Sequence, residues 1–271
     1  MRLGTHVHCF THWKPWPLEP GAERRTPDYI LPIVEGAGLD GIFMVNFGAK
    51  DPRYESFVSQ SSKNYFKSLV CNNVVIYQNR KTGRRVHIIK ANEVRAKDIV
   101  NGKPKQSDLL YLGVDVNKTL RHQQPLIETL EEESRFERVP VIACDPELAF
   151  FGMGYSALDK LGKHFTGFEP FSGNSRSMNE SQIRELERKY GLPAVPGSDS
   201  HSLNVEQIGA IGIDIDLDFS SSSDLRESIR TNIARGTFER IIEPRNYFAP
   251  FRQRFTHGLH LVREIVRGDL S

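Results

Sequence analysis

The chain is poor in cysteine. Among 271 residues only Cys9, Cys71 and Cys144 carry a thiol, an odd number, far apart and without a CxxC pair. A disulfide framework is therefore not what holds the fold, and a reducing compartment such as the cytoplasm is expected. Excess charge is lacking too: 36 Lys and Arg against 34 Asp and Glu leave a formal net charge of +2. Global charge thus calls for neither nucleic acid nor an anionic membrane, and any basic character must be local. No apolar run approaches the length of a membrane span, and the N-terminus lacks the apolar core of a secretory signal. Internal repeats and linkers are absent, and the longest low-complexity segment is the serine run at 220–223. With 38% hydrophobic and 26% charged residues, the expectation is one globular domain over 1–271, within the size of a single α/β barrel.

What the chain does have is histidine near its start. Residues 1–16 read MRLGTHVHCFTHWKPW and hold His6, His8 and His12 within seven positions. If residues 2–7 form a strand, His6 and His8 are two apart and point to one face. Two imidazoles on one face offer two neutral nitrogen lone pairs to a single metal ion. On spacing alone a solvated, histidine-rich N-terminus reads the same way.

Periodicity and punctuation give the rest. A proline-rich loop leads to a helix at 28–36 (DYILPIVEG) and a buried strand at 41–47 (GIFMVNF), the start of a βαβ pattern with parallel strands. Residues 50–71 read as polar and partly helical. A hairpin follows, with strands at 74–78 and 85–90, and it delivers Asn92 and Glu93 to a strand end. Further strands are expected at 109–113, 139–144, 166–171, 192–197 and 208–215. Helices are expected at 124–137, 156–164, 179–190, 222–235 and 255–266. The helix at 179–190 has Asn179 or Ser181 to cap it and Gly191 to end it. Residues 240–271 read as a C-terminal cap on the barrel. Their Arg240, Arg245, Arg252 and Arg254, interleaved with aromatics, also suit single-stranded nucleic acid.

Polar residues fall where these strands end: His6 and His8, Asn92 and Glu93, Asp145, then Asp199 and His201. In parallel βα barrels such ends converge on one face, and a His/Glu/Asp/His set gathered there is a metal site. The loop at 172–176 can supply an anion site, with Arg176 as a bidentate phosphate ligand and Asn174 as a further donor; a surface arginine in a polar loop is the plainer alternative.

The opening HVH, the Glu that closes IIKANE and the late GSDSH, in that order, resemble the polymerase and histidinol phosphatase (PHP) domain family. The stretch GFEPFSGNSR at 167–176 sits where that family has a further strand. The resemblance implies a distorted seven-stranded βα barrel that binds up to three metal ions and hydrolyses phosphate esters. It assigns His6, His8, Glu93 and Asp199 to a first metal, with Glu93 bridging to a second, and His201 with His12 to a third. Three motifs depart from the family. Val45-Asn46-Phe47 replaces a Thr-Asp-His triplet, Cys144-Asp145-Pro146 replaces Ala-His-Pro, and Asp108 stands where a histidine is usual. Two readings compete. Either Asp108 and Asp145 replace imidazoles as second-metal ligands and a hydrolase survives, or the site has decayed and the barrel is a binding or scaffold module.

On the first reading the chain is a metal-dependent phosphoesterase, either phosphatase or phosphodiesterase, with a nuclease as an alternative. Asp199 would orient the attacking water and His201 would protonate the leaving group. The cofactors would be two divalent ions drawn from manganese, zinc and iron, with manganese the best activator of an oxygen-rich second site. The expected partner is a small phosphorylated substrate, with no membrane and no tight binding of long nucleic acid.

Overall fold

Alternating apolar residues in the N-terminal half build a sheet, and the computed structural model shows how it curls. It describes residues 1–8, 26–47, 53–100, 103–113, 124–134, 140–144, 154–170, 179–198 and 211–242. These form β1 (Arg2–Val7), α1 (Pro27–Gly36), β2 (Gly41–Phe47), α2 (Arg53–Ser59), β3 (Tyr65–Cys71), β4 (Val74–Asn79), β5 (Arg85–Val100) and β6 (Lys103–Leu112). There follow α3 (Leu126–Ser134), β7 (Val141–Ala143), α4 (Tyr155–Leu161), β8 (Gly167–Phe168), α5 (Glu180–Tyr190), β9 (Ile211–Ile215), α6 (Ser222–Arg235) and β10 (Phe238–Ile242).

The strands make one sheet in the order β10-β9-β1-β2-β5-β6-β7-β8, with β3 and β4 attached beside β5. The pairs β1–β2, β2–β5 and β7–β8 are parallel. Ala194 makes a parallel bridge to Phe168, and four residues on the Ser198 amide donates to the carbonyl of Thr5 at 3.0 Å. Residues 194–198 therefore run from β8 to β1 and curl the sheet towards itself, giving a barrel-like α/β fold. Leu3, Phe43, Val45, Ile89, Ala91, Leu110 and Ile142 form a core on one face of the sheet, to which α6 adds Leu225, Ile229 and Ile233. On the other face Ile42, Met44 and Ile88 pack against Ile30, Leu31 and Val34 of α1. Each of these side chains other than Ala91 contributes about 1.5–3 kcal/mol of burial.

Several elements differ from expectation. β5 and β6 are a long antiparallel hairpin, and β7 is antiparallel to β6, so the sheet is mixed rather than a parallel seven-stranded barrel. Val100 pairs with Lys103 across two intervening positions, and the sequence there, Asn-Gly, favours a hairpin over a helical crossover. Glu93 consequently sits in the middle of β5, not at a strand end. Residues 65–71, expected to be polar and partly helical, form β3 after the short α2. Residues 238–242, at the start of the expected cap, form the edge strand β10 against β9. There Arg240 pairs with Glu187 at 2.7 Å and Glu180 at 2.5 Å. Its charge is thereby matched within the fold. Arg245, Arg252, Arg254 and the helix expected at 255–266 lie outside the described residues, as does Cys9. Cys71 and Cys144 are free thiols. Among the described residues no helix is long and apolar enough to cross a membrane.

Candidate metal centre

The site begins with an irregularity in β1. Leu3 belongs to the inner core with Phe43, whereas Val7, four residues on, packs in the outer cluster with Ile42 and Met44. In a regular strand both would share a face. The register against β2 shifts between Gly4 and Val7, and His6 has φ of 54°. A bulge therefore inserts one residue and swaps the inward and outward sides. Without it, His8 would follow Gly4 to the outer side, under α1. With it, His6 and His8 both meet Glu93. A positive φ on a residue other than glycine costs about 1–3 kcal/mol and is kept where the surroundings enforce it.

Glu93 Oε2 lies 3.1 Å from His8 Nε2 and 3.7 Å from His6 Nε2. One ligand atom from each of the three residues falls within 4.8 Å of the others, and all three residues are buried. Ligands about 2.1 Å from a tetrahedral ion are about 3.4 Å apart. The observed separations bracket that value, and two imidazoles with a carboxylate are donors suited to zinc, iron or manganese. The residues present fit a divalent ion.

The outer nitrogen of His6 faces Glu169, whose Oε1 accepts from Nδ1 at 2.7 Å. With Nδ1 donating to Glu169, Nε2 faces Glu93 and becomes available to an ion there once its own proton is displaced. Glu169 is fully buried, and Gly197 makes room for it: a Cβ on Gly197 would overlap Glu169 Oε1 and stand 2.6 Å from its Cδ. Cys144 completes a second group with His6 and Glu169 in which donor atoms also lie within 4.8 Å. Glu169 and Cys144 have no role in the sequence reading. The signal was available for Glu169, the one acid in the GFEPF stretch that matches a strand of the family, but a carboxylate acting on a histidine from across the barrel leaves no spacing to read. The late GSDSH stretch is fixed to the early HVH stretch by Ser198, whose hydroxyl reaches the carbonyls of Thr5 and His6 at 3.1 Å each. Thr5 Oγ1 returns a hydrogen bond to the carbonyl of Pro196.

Electrostatics follow the contacts. Burial acts to lower the His6 pKa, but the charge of Glu169 and the Cys144 side chain outweigh it and raise it well above the ordinary value. Burial acts to raise Glu93, yet its hydrogen bonds to His6 and His8 bring it well below the usual carboxylate range. The cluster without an ion is thus a proton-bridged set of imidazoles and carboxylates, and an ion binds by displacing protons. Burial pushes the Cys144 thiol up, which keeps it protonated.

Asp108 sits opposite Arg95 on β6 and holds it bidentately, at 2.8 Å from Nε and 3.0 Å from Nη2. Arg95 is two residues beyond Glu93 on the same face of β5. Burial pushes Asp108 up to about 7; Arg95 pulls the other way, and the charge of Glu93 adds to the rise. The sign of the consequence is fixed. The folded chain holds this proton more tightly than the unfolded chain, so stability falls as pH rises from the ordinary 3.8 to about 7 and is level beyond. Thermal melts of metal-free protein across that window should show the fall, and Asp108→Asn should remove that part of it. Parallel pH profiles for variant and parent would contradict the assignment.

Asp145, Asp199, His201, His12, Arg176 and Asn174 lie outside the described residues. The structure therefore brings together His6, His8 and Glu93, adds Glu169 and Cys144, and places Asp108 beside them in an ion pair.

No family model matches the chain, and no curated protein matches it in sequence. Its fold is shared with a nuclease. The crystal structure of the lesion-specific endonuclease PfuEndoQ from Pyrococcus furiosus matches with a TM-score of 0.54 and 14% identity, covering 89% of this chain. The match takes in 58% of the endonuclease, so this chain corresponds to little more than half of that protein. At this identity the likeness is one of fold, in loose agreement with the PHP resemblance. It overturns one expectation. The family resemblance leads to the expectation of a small phosphorylated substrate, and the net charge of +2 to that of no tight binding of long nucleic acid, but a solved structure that shares the fold is named as an endonuclease. Global charge is a poor guide here because a strand is bound by local patches.

Proposed function

We propose that the chain is a metal-dependent phosphodiesterase that cleaves nucleic acid. The observation that carries this reading is the buried His6–His8–Glu93 cluster, held in ligand geometry by the bulge in β1 and by the bond from His6 to Glu169. The fold shared with an endonuclease supports the substrate class. When bound, a divalent ion supplies Lewis acidity at neutral pH and neutralises charge that develops on a phosphoryl group.

The chain's own residues do the rest. Glu169 fixes the tautomer and tilt of His6, so that Nε2 is aimed before any ion arrives. Glu93 sets the anionic character of the cluster between the two imidazoles. Arg95, held rigidly by Asp108, keeps a positive charge beside the cluster, where a phosphodiester carries its negative one. Asp199 and His201 follow on from Ser198, which is anchored to β1. In this reading Asp199 joins the ligands and orients the attacking water, while His201 gives the leaving oxygen its proton. Asp145 is the candidate for a carboxylate ligand to a second ion, and Asp108 joins it only by giving up a bond to Arg95.

The test is hydrolysis of single- and double-stranded oligonucleotides, intact and damaged, with manganese, zinc or magnesium added to chelated protein. Metal-dependent cleavage that His8→Ala abolishes is expected. A chain that binds metal yet turns over none of these substrates would remove the nuclease reading and favour a non-catalytic barrel.

A further inference from the structure

We infer that the flank built from β3, β4 and the start of β5 is a docking surface for a nucleic-acid strand, distinct from the metal cluster; the inference rests on the nucleic-acid reading above. Residues 60–86 contain Lys63, Lys67, Arg80, Lys81, Arg84 and Arg85 and not one Asp or Glu. In a chain of net charge +2, this is a local excess of six positive charges. Arg84 is spent inside the fold, where it donates to the carbonyls of Glu35 and Leu39 at 2.8 and 2.9 Å. The other five are exposed, and among the described residues none is in an ion pair. The carboxylates that touch this hairpin, Asp28 and Glu35, are on its helix side, engaged with the amides of Lys63 and Asn64 and the side chains of Tyr65 and Asn79.

Apolar exposure coincides with the charge. Phe66 and Val70 of β3 are 55% and 37% exposed; Leu69, 70% exposed, lies on the other face with Lys67, whose Nζ donates to the carbonyl of Val58 at 2.8 Å. Arg80 lies over the Phe66 ring, 3.6 Å from its centroid. Among the described residues β3 pairs with β4 alone, at the edge of the sheet. Charged residues such as Lys67 are expected there, because they discourage edge-to-edge association. That explanation fails for the aromatic and aliphatic side chains, which add to the liability that the lysine offsets. A strand of nucleic acid accounts for both: its phosphates meet the cations and its bases stack on an aromatic ring flanked by a guanidinium.

The geometry gives a length rule. Arg85 is eight residues from Glu93 along β5, about 27 Å at the rise of a strand. A stacked strand advances about 3.4 Å per nucleotide and an extended one about twice that, so about four to eight nucleotides occupy both places.

The experiment is fluorescence anisotropy in chelator with a labelled single strand of about twenty nucleotides, comparing the parent, the triple variant Phe66→Ala/Arg80→Ala/Lys81→Ala, and a control, Arg188→Ala/Lys189→Ala, that removes two exposed cations from α5. All three replaced residues of the triple variant are exposed, and circular dichroism checks that it folds. The triple variant should bind about tenfold more weakly or worse, with a salt slope smaller by about 1.4 for two lost cations. The α5 control should bind as the parent does, and with metal in place of chelator a three-nucleotide strand, too short to span, should show no effect of the triple variant on its cleavage. Equal affinity and equal salt slope in parent and triple variant would overturn the surface, whether or not the chain cleaves nucleic acid. Weakened binding in a chain that cleaves nothing would uphold the surface and remove the nuclease activity instead. Self-association that Phe66→Ala abolishes, without oligonucleotide binding by the parent, would assign the face to a second copy and overturn the inference.

Discussion

His8→Ala will leave a folded chain that no longer keeps its metal. His8 is 1% exposed at the inner end of β1 and stands 3.1 Å from Glu93. It lies outside the aliphatic clusters that hold the sheet. Its removal takes away one of three buried donors. Zinc sites of four ligands hold their ion by about 10–16 kcal/mol, or about 3 kcal/mol per ligand, so affinity should drop by about two orders of magnitude. Cleavage should fall to background with it. Calorimetric titration of metal into chelated protein and elemental analysis after dialysis give the answer. Parent-like metal content in the variant would take His8 out of the centre, and a collapsed fold would show that the residue is structural.

Gly197→Ala will disturb the centre from a residue that binds nothing. Its new Cβ would overlap Glu169 Oε1 and approach His6 Cβ to 3.1 Å. Glu169 is fully buried and bonded to His6, so moving its carboxylate breaks that bond. Overpacking of this kind costs about 1–3 kcal/mol of stability. Loss of the carboxylate that orients a ligating histidine costs about 10–100-fold in metal affinity. The two effects can be separated. Glu169→Gln should reproduce the metal defect with little crowding. Glu169→Ala should make Gly197→Ala cheap, because the clash partner is gone, so the double variant should be more stable than the sum of the singles. Strict additivity, or a Gly197→Ala protein that binds metal normally, would contradict the packing shown here.

Local rules were sufficient for much of the chain. The helix at Ser222–Arg235 matches the range read from periodicity, and the Glu180–Tyr190 helix has the expected ends: Asn179 accepts from Gln182 in a capping box, and Gly191 is left-handed. The hairpin of β4 and β5 stands where alternation and a Gly-containing turn put it. The pairing of HVH with Glu93 was legible because motif order alone suggested it. What the sequence by itself determined is therefore most of the strands and helices, β3 excepted, and that two histidines near the start share a site with Glu93.

The tertiary structure decided the rest. No local pattern announces that β1 bulges at His6, since the bulge exists to reconcile β1 with β2 on one side and with residues 196–198 on the other. Strand alternation by itself would have put Leu3 and Val7 together and kept His6 and His8 on the opposite face. Glu169 meets His6 across 163 positions of sequence, and Gly197 fits beside them only after the sheet has curled. Propensity and capping act over a few residues and can be read from them. The face of a strand, the partner of a buried charge and the space beside it depend on contacts between segments far apart in the chain, and they exist only once those segments have packed.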